Sequence, residues 1–336
     1  ELDDPQWKTF MDQFTWDELT ALVTSGSFST AAVESVDKPR TVDPDGPNQV
    51  KNGVLADGTS VVGWGWVGAP VIASTWNAEL AYEQGIAVGN EALWMNVNGW
   101  YGPAMNIHRS PFSGRNFEYY SEDPFFSGKL GAAVVIGARS RGVYCQVKHF
   151  AVNEQETHRS ISGDSSWLTE QSMREIYLRP FEIAVKEGGT RAVMTSFNRI
   201  GTRWTGGDYR LLTEILRNEW GFEGVVICDF NTIPAYMNSR QMAYAGGDLN
   251  LATQPVSWCD ESSAADVTVL RDNIKNIFYA VVNSNAMNGE VIGYKMPIWQ
   301  IFLIVIDCVI VVGVAVWGFF VIRKALKAKD DEAQAE

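Results

Sequence analysis

The sequence lacks features on which several classes of protein depend. Its four cysteines, Cys145, Cys228, Cys259 and Cys308, have neither paired nor CxxC spacing, so free thiols are expected rather than a disulfide framework or a zinc site. Basic residues are outnumbered, and the formal net charge of -13 argues against a nucleic-acid partner, which would need a basic face. No predicted strand runs into a GxGxxG phosphate turn, so a doubly wound dinucleotide-binding sheet is not supported.

A start signal is also missing. The first residue is Glu1 rather than Met, and no signal peptide follows it. We therefore expect a processed start or a piece of a longer polypeptide. The composition is that of a globular protein, with 46% hydrophobic and 20% charged residues among 336, enough for one large domain and an extension.

The carboxyl-terminal part of the chain is apolar in a way that the rest is not. Residues Ile298–Ile322 form a nearly uninterrupted apolar run, which is long enough as a helix to cross a hydrocarbon core of about 30 Å. Basic residues follow at once, so the positive-inside rule predicts a single-pass protein of the cell membrane. Its globular part would be extracellular and residues 323–336 a charged cytoplasmic tail. Asp307 lies within the run, where a charge is costly, and a buried core helix is the alternative interpretation.

Strand and helix patterns alternate through the preceding part of the chain, with polar residues gathered where strands end. We predict strands at 142–147, 191–196, 225–228 and 248–251, and helices at 77–94, 124–139, 169–187, 211–220 and 267–282. This order predicts an α/β fold of the (β/α)8 TIM type over residues 1–285, irregular because only six or seven strands are recognisable. Residues 286–297 are predicted to be a linker, and a doubly wound open sheet is the alternative fold.

Charged side chains follow two of the predicted buried strands directly. Asp229 closes the run Val225–Cys228, and Lys148 and His149 follow the strand at 142–147. Because the carboxyl ends of parallel strands lie on one face of such a fold, these side chains are expected at one mouth. Asp229 is the first catalytic candidate, and the alternative is an Asp that caps the next turn.

Two further segments carry candidate binding residues. Pro and Gly residues in 41–47 fix a turn that exposes Asp45, although on local grounds an ordinary turn Asp is the favoured interpretation. The loop 113–124 combines Arg115 with acids and three aromatic residues, which is more typical of a binding surface than of a linker.

Five motifs in this order resemble the barrel domain of glycoside hydrolase family 3, the β-glucosidases and their relatives. They are GRNFEYYSEDP, KHFAVNEQETHR, VMTSFNRIG, GFEGVVICDF and AGGDLNL, and the resemblance extends over roughly residues 15–285. It implies that Asp229 is the nucleophile and that the substrate-binding residues are Asp45, Arg115, Lys148, His149, Met194 and Phe230. It further implies a retaining β-glycosidase, most simply a β-glucosidase, that acts on terminal non-reducing β-linked sugars of an oligosaccharide or β-glucoside through a glycosyl-aspartate. No metal or cofactor is implied.

The residue types fit this chemistry. A retaining glycosidase needs a carboxylate at the anomeric carbon and an acid/base about 5–5.5 Å from it. Lys148 and Arg115 are expected to stabilise the negative charge of Asp229. Lys, His, Arg and Asp side chains together can donate to and accept from the hydroxyl groups of a pyranose.

Departures from the family pattern leave a second function open. Phe197 stands where the family usually has Tyr, and Phe230 where Trp is common. In β-glucosidase-type members of the family the acid/base comes from a second, α/β sandwich domain, whereas here the barrel pattern runs directly into the linker and the apolar run. The resemblance therefore implies an upstream sandwich domain outside this chain, as in members with swapped domain order. Glu154 and Glu156 are interpreted as structural acids that order the loop around Lys148 and Arg159. An N-acetylglucosaminidase would carry a loop histidine in a PGHG-like context, which this loop lacks. The alternative function is a membrane-tethered carbohydrate-binding or scaffold protein with an inactive site.

Overall fold

The structure is a computed structural model and describes residues 1–24, 26–54, 58–159, 163–231, 236–287 and 298–333. The chain divides into two compact units, Glu1–Ile292 and Gly293–Glu336. Most of the predicted linker 286–297 lies outside the described residues, as do the last three residues of the predicted tail.

Short strands and longer helices alternate through the first unit. The strands are β1 Gly53–Val54, β2 Ser60–Val61, β3 Gly99–Trp100, β4 Tyr144–Phe150, β5 Ser165–Ser166, β6 Ala192–Thr195, β7 Arg199–Ile200, β8 Arg203–Trp204 and β9 Val225–Ile227. The α-helices are α1 Gln6–Met11, α2 Trp16–Thr24, α3 Ala69–Ala73, α4 Ala78–Trp94, α5 Pro124–Arg139, α6 Glu170–Ser172, α7 Arg179–Lys186, α8 Ser239–Ala245 and α9 Ala264–Val282. Met173–Tyr177 and Arg210–Glu219 are π-helical, so the helices predicted at 169–187 and 211–220 exist with wider turns than expected.

Local sequence explains where several of these helices begin. The Asn77 side chain accepts from two backbone N–H groups at the start of α4, at 2.9 and 3.1 Å. Asp123 accepts from Phe126 N at 2.9 Å, with Pro124 in the first turn of α5. Such capping groups satisfy N–H donors that have no partner inside the helix, and proline costs nothing at that position.

A parallel sheet of four strands, in the order β3-β4-β6-β9, forms the centre of the unit. Backbone hydrogen bonds continue it on both sides. Beyond β9, Ile227 pairs in parallel with Leu249, and Asn250 is bonded in turn to Val23 and Gly26. Beyond β3, Asp45 pairs in parallel with Tyr101.

The first extended segment closes the ring. Thr41 N donates to Thr30 O, and Asp43 N donates to Phe28 O, so residues 28–30 run antiparallel to residues 41–43. The unit is therefore a TIM-barrel-like α/β fold, and its irregularity comes from this reversed segment. The prediction of an irregular α/β barrel is confirmed as far as this fold class.

Alternate residues of the barrel strands face two different apolar clusters, as a period of two requires. Val193 and Val226 lie in the cluster that α4, α5 and α7 cover. Ala192, Met194 and Ile227 lie in the other cluster, which includes residues of α2 and α9. The buried cysteines Cys145 and Cys228 are free thiols, as predicted, and burial raises the pKa of each to about 12.

The second unit contains one long helix, α10 Ile298–Ala333. Its stretch Ile301–Lys324 is long and apolar enough to cross a membrane, and none of it is buried within the protein. The structure thus gives no support to the alternative interpretation of this run as a buried core helix.

Candidate active site

Asp229 lies immediately after β9, at the carboxyl end of the central sheet, and is 8% exposed. Its Oδ1 accepts a hydrogen bond from Phe230 N at 2.7 Å. Its Oδ2 accepts from Arg159 Nη1 at 3.2 Å. Both carboxylate oxygens therefore have a fixed donor, and the side chain is held at the mouth of the barrel.

Arg159, the cation on Asp229, is itself held from several directions. Its Nε contacts Glu156 Oε2 at 2.7 Å, and its Nη1 also lies 3.4 Å from Asn153 Oδ1. The guanidinium lies over the Phe197 ring, 4.6 Å from the ring centroid. A planar cation stacked on an aromatic ring keeps its in-plane donors aimed sideways, here at two carboxylates.

Charges of opposite sign alternate along the site in the order Glu118, Arg115, Glu156, Arg159, Asp229. Arg115 Nε contacts Glu118, and its Nη1 lies 3.8 Å from Glu156 Oε1. Burial raises the pKa of Glu156, against the opposing effect of Arg159 and Arg115 and with a further contribution from the Asp229 charge. In this order, each of the two arginines lies between two carboxylates. Their positive charges offset the repulsion between the carboxylates, which can therefore lie close together.

A second ion pair lies at the ends of neighbouring segments. Lys148 Nζ contacts Asp45 Oδ1 at 2.6 Å, with the lysine side chain 3% exposed and the aspartate 41% exposed. Burial alone would raise the pKa of Asp45, but the charge and hydrogen bond of Lys148 outweigh it and the pKa is lowered. A buried ammonium thus presents an ionised carboxylate to solvent, where a hydroxyl donor could reach it.

His149 is fully buried beside the nucleophile candidate. Its Nε2 lies 3.9 Å from Asp229 Oδ2, and its Nδ1 has no hydrogen-bond partner among the described residues. Burial lowers its pKa far below the ordinary value, and the charges of Arg115, Lys148 and Arg159 lower it further. The ring is therefore neutral near neutral pH, and it offers one N–H donor rather than a positive charge.

Apolar side chains complete the site. Phe230 stacks on Phe28 at 6.3 Å, and Phe28 stacks on Tyr101 at 5.6 Å, which forms an aromatic column next to Asp229. Met194 lies in β6 and is buried in the apolar cluster that also contains Tyr101 and Ile227. A flat aromatic surface beside a strand-end carboxylate suits the apolar face of a ring-shaped ligand.

The structure brings most of the predicted residues together but assigns different partners to them. The cation on Asp229 is Arg159, whereas Lys148 is paired with Asp45 and Arg115 with Glu118 and Glu156. No ion pair among the described residues joins Lys148 or Arg115 to Asp229, so the stabilisation of its charge by these two cations stays a prediction. Sequence reasoning missed Arg159 as a site residue, although its position in the same motif as Lys148 and His149 was an available signal.

Of the two loop acids, only Glu156 has a partner that was predicted for it. Glu156 contacts Arg159, as predicted for a structural acid of the loop. Glu154 does not contact Lys148 or Arg159. It is buried and accepts from Asn106 Nδ2 at 3.3 Å and from Ile107 N at 3.5 Å, and its Oε2 has no partner among the described residues. Strand β4 also differs, because it continues to Phe150 and so contains Lys148 and His149.

Asp229 is thus a strand-end carboxylate in an α/β barrel, surrounded by cations, a neutral imidazole and aromatic rings, an arrangement that can bind a ring-shaped polyol. The family model described as glycosyl hydrolase family 3 N terminal domain matches residues 66–257. The chain belongs to this family.

Individual relatives agree with this assignment. The chain is 43% identical over 206 residues to β-glucosidase A of Butyrivibrio fibrisolvens, covering 61% of this chain and 24% of that protein. It is 36% identical over 269 residues to a β-glucosidase of Rhizobium radiobacter, covering 79% and 31%. The structure of β-glucosidase 3B from Thermotoga neapolitana in complex with glycerol matches with a TM-score of 0.77 and 31% identity, covering 88% of this chain and 45% of that one. The chain therefore spans less than half the length of these relatives.

Proposed function

We propose that the chain is the barrel part of a retaining β-glycosidase of the β-glucosidase class, with Asp229 as its nucleophile. The observation that carries the proposal is the position of Asp229 at the carboxyl end of β9, where its two carboxylate oxygens accept hydrogen bonds from Phe230 N and Arg159. Relatives named β-glucosidases support the substrate class, a terminal non-reducing β-linked sugar.

In the first step, a carboxylate oxygen of Asp229 attacks the anomeric carbon of the bound sugar. The bond between that carbon and the glycosidic oxygen breaks, and the leaving oxygen takes a proton from a general acid. As the carboxylate becomes an ester it loses its charge, and Arg159 keeps Glu156 as its partner. In the second step, water attacks the same carbon, gives a proton to the base, and releases the Asp229 carboxylate.

The remaining residues bind and orient the sugar. Asp45 accepts from sugar hydroxyl groups while Lys148 keeps it ionised, and the neutral His149 donates or accepts once. Arg115, which lies 3.8 Å from Glu156, is assigned to the same sugar site as a hydrogen-bond donor. Phe230 and Met194 provide apolar contacts. We place the acid/base on an α/β sandwich domain outside this chain, because Glu154 is buried away from the ion pairs and Glu156 is bound to Arg159.

Covalent labelling tests the nucleophile without needing the general acid. A 2-deoxy-2-fluoro-β-glucoside with a dinitrophenyl leaving group departs unprotonated, so the barrel alone should form a stable adduct on the peptide that contains Asp229. Asp229→Asn should form none, whereas Asp272→Asn on the exposed side of α9 should react as the unaltered chain does. An adduct on another residue would overturn the assignment.

The second candidate function is sugar binding without catalysis, and Phe197 favours it because a hydroxyl usual near the nucleophile is absent. Calorimetric binding of glucose combined with no adduct on Asp229 would support this alternative. Glucose binding followed by labelling would exclude it.

We also propose that α10 anchors the protein in a bilayer, with the barrel unit outside the cell and the C-terminus in the cytoplasm. The apolar stretch Ile301–Lys324 and the basic residues that follow Ile322 support this orientation. The chain expressed in cells should resist extraction by alkaline carbonate, and a chain that ends at Met287 should not. Extraction of both would contradict the anchor.

A further inference from the structure

Glu154 lies just beyond the strand that carries Lys148 and His149, yet it takes no part in the ion pairs of the site. Its side chain is 2% exposed. Its Oε1 accepts from Asn106 Nδ2, and Ile107 N is at the limit of hydrogen-bond distance. A carboxyl group placed in the interior with two neutral donors costs free energy to bury, so its position calls for a physical reason.

Asn106 is the link from Glu154 to the site. Its Oδ1 accepts from His149 N at 2.8 Å, and its Nδ2 donates to His149 O at 3.1 Å. The side-chain amide therefore holds both polar backbone groups of the residue whose imidazole faces Asp229. The second proton of Nδ2 goes to Glu154 Oε1.

This third hydrogen bond stabilises the same orientation of the Asn106 amide that the two bonds to His149 require. If the amide were flipped, its oxygen would face the Glu154 carboxyl and its NH2 group would face His149 N, so two acceptors and two donors would oppose each other. We propose that Glu154 is a positioning residue of the sugar site, which fixes the backbone of His149 through the side-chain amide of Asn106. This inference rests on the function proposed above.

The charge state of Glu154 adds a pH dependence to this arrangement. Burial raises its pKa to about 7, and Asn106, Ile107 and the charge of Arg109 lower it only in part. Lys148 and the neutral His149 precede it on β4, and the pair of Glu156 and Arg159 follows it on its own loop. Above that pH the carboxylate accepts more strongly from Asn106, so the hold on His149 tightens as the pH rises.

Three variants separate this role from a merely structural one. Glu154→Ala removes the acceptor and should lower the labelling rate at Asp229 about tenfold, the usual effect of one lost buried hydrogen bond. Glu154→Gln keeps an acceptor that cannot ionise, so the change in labelling rate around pH 7 should disappear. At a pH where Glu154 is ionised, Asn106→Asp should react more slowly than the double variant with Glu154→Gln, because only the double variant then offers a donor to the new carboxylate.

Asp266→Asn is the matched control, since it removes another buried carboxylate whose partners are Arg240 and Tyr244. It should lower the thermal stability and leave the pH profile of labelling unchanged. A profile for Glu154→Gln that equals that of the unaltered chain would overturn the inference.

Hydrogen exchange keeps this test independent of the proposed function. The amide of His149 is protected by its bond to Asn106, so Glu154→Ala should speed its exchange about tenfold, read on the peptide that contains it. Unchanged exchange would refute the positioning role whether or not the chain reacts. Suppose that Glu154→Ala speeds the exchange of the His149 amide, but the unaltered chain neither forms the adduct nor binds glucose. That result would support the positioning role of Glu154 and refute the proposed glycosidase function.

Discussion

Arg159 Nη1 lies 3.2 Å from Asp229 Oδ2, and the same guanidinium contacts Glu156 and lies over the ring of Phe197. One arginine therefore holds the nucleophile candidate, a loop carboxylate and an aromatic ring in a fixed arrangement. It belongs to the loop that follows β4, whereas Asp229 follows β9, so the contact joins two separate strand ends.

Substitution of Arg159 should impair labelling more than substitution of a surface arginine. Arg159→Met removes a charged hydrogen bond to Asp229 and should lower the labelling rate by about 10- to 100-fold, in line with the usual worth of such a bond. Arg159→Lys keeps the charge but not the planar fork, so an intermediate loss is expected. Arg174→Met is the control, because Arg174 pairs with Glu170 and Glu219 on the surface. The labelling rates of the three variants are compared at equal protein and label concentrations. An unchanged rate in Arg159→Met would contradict a role of Arg159 in the reaction of Asp229.

Replacement of Phe197 tests the departure from the family pattern. Phe197→Tyr keeps the ring under Arg159 and adds the hydroxyl that relatives of the family usually place near the nucleophile. We expect labelling several-fold faster, with thermal stability nearly unchanged, because the ring itself is retained. Phe197→Leu keeps a comparable apolar volume without the ring and should slow labelling, because the stacking contact of about 0.5–2 kcal/mol is lost. Equal rates in both variants would show that the ring and its hydroxyl do not affect Asp229.

The pair of Lys148 and Asp45 should control sugar affinity. Lys148→Met replaces a buried cation by an apolar chain of similar length, and it removes the interactions that lower the pKa of Asp45. Glucose binding measured by calorimetry should weaken about 10- to 100-fold, the range for a hydrogen bond that involves a charged group. Lys129→Met, which breaks an exposed ion pair with Glu187, should leave the affinity unchanged. Retained affinity in Lys148→Met would show that the sugar does not contact this pair.

Asp43 should make the stability of the barrel depend on pH. It is buried, and burial raises its pKa from the ordinary value of 3.8 to about 6, although hydrogen bonds from Tyr144 and Thr41 oppose the change. Between these two values the folded protein holds a proton that the unfolded chain has lost, so the free energy of unfolding falls as the pH rises. The loss from this group is complete above its folded pKa and amounts to roughly 3 kcal/mol at most, from a pKa near 6 against 3.8.

Asp43→Asn should therefore gain stability relative to the unaltered chain as the pH rises through this window. Urea unfolding at about pH 4 and about pH 7 measures the difference, and titration of other groups cancels between the two proteins. Asp272→Asn has an exposed carboxylate and should show a constant difference. A constant difference for Asp43→Asn as well would contradict the raised pKa.

Much of the barrel could be predicted from sequence because its signals are local. The short apolar run before Asp229 and the run before Lys148 are buried strands in the structure, and Pro124 begins α5 at the predicted residue. The strand bounds were less well predicted, since pairing of Phe150 with β6 and of Lys148 with Ala104 extends β4 to Phe150. The reversed segment at residues 28–30 has no periodic pattern that marks it as part of the barrel.

The sequence by itself determined that Asp229, Lys148 and His149 would meet at one face, because the direction of parallel strands follows from their order along the chain. It also determined the apolar helix at the carboxyl end, because length and composition suffice for that. Only the tertiary structure decided which cation contacts which carboxylate. Arg159 rather than Lys148 binds Asp229, and Glu154 binds Asn106 rather than a cation, because these contacts join loops from different strands. Their distances depend on how the loops pack, and no local pattern in the sequence specifies that packing.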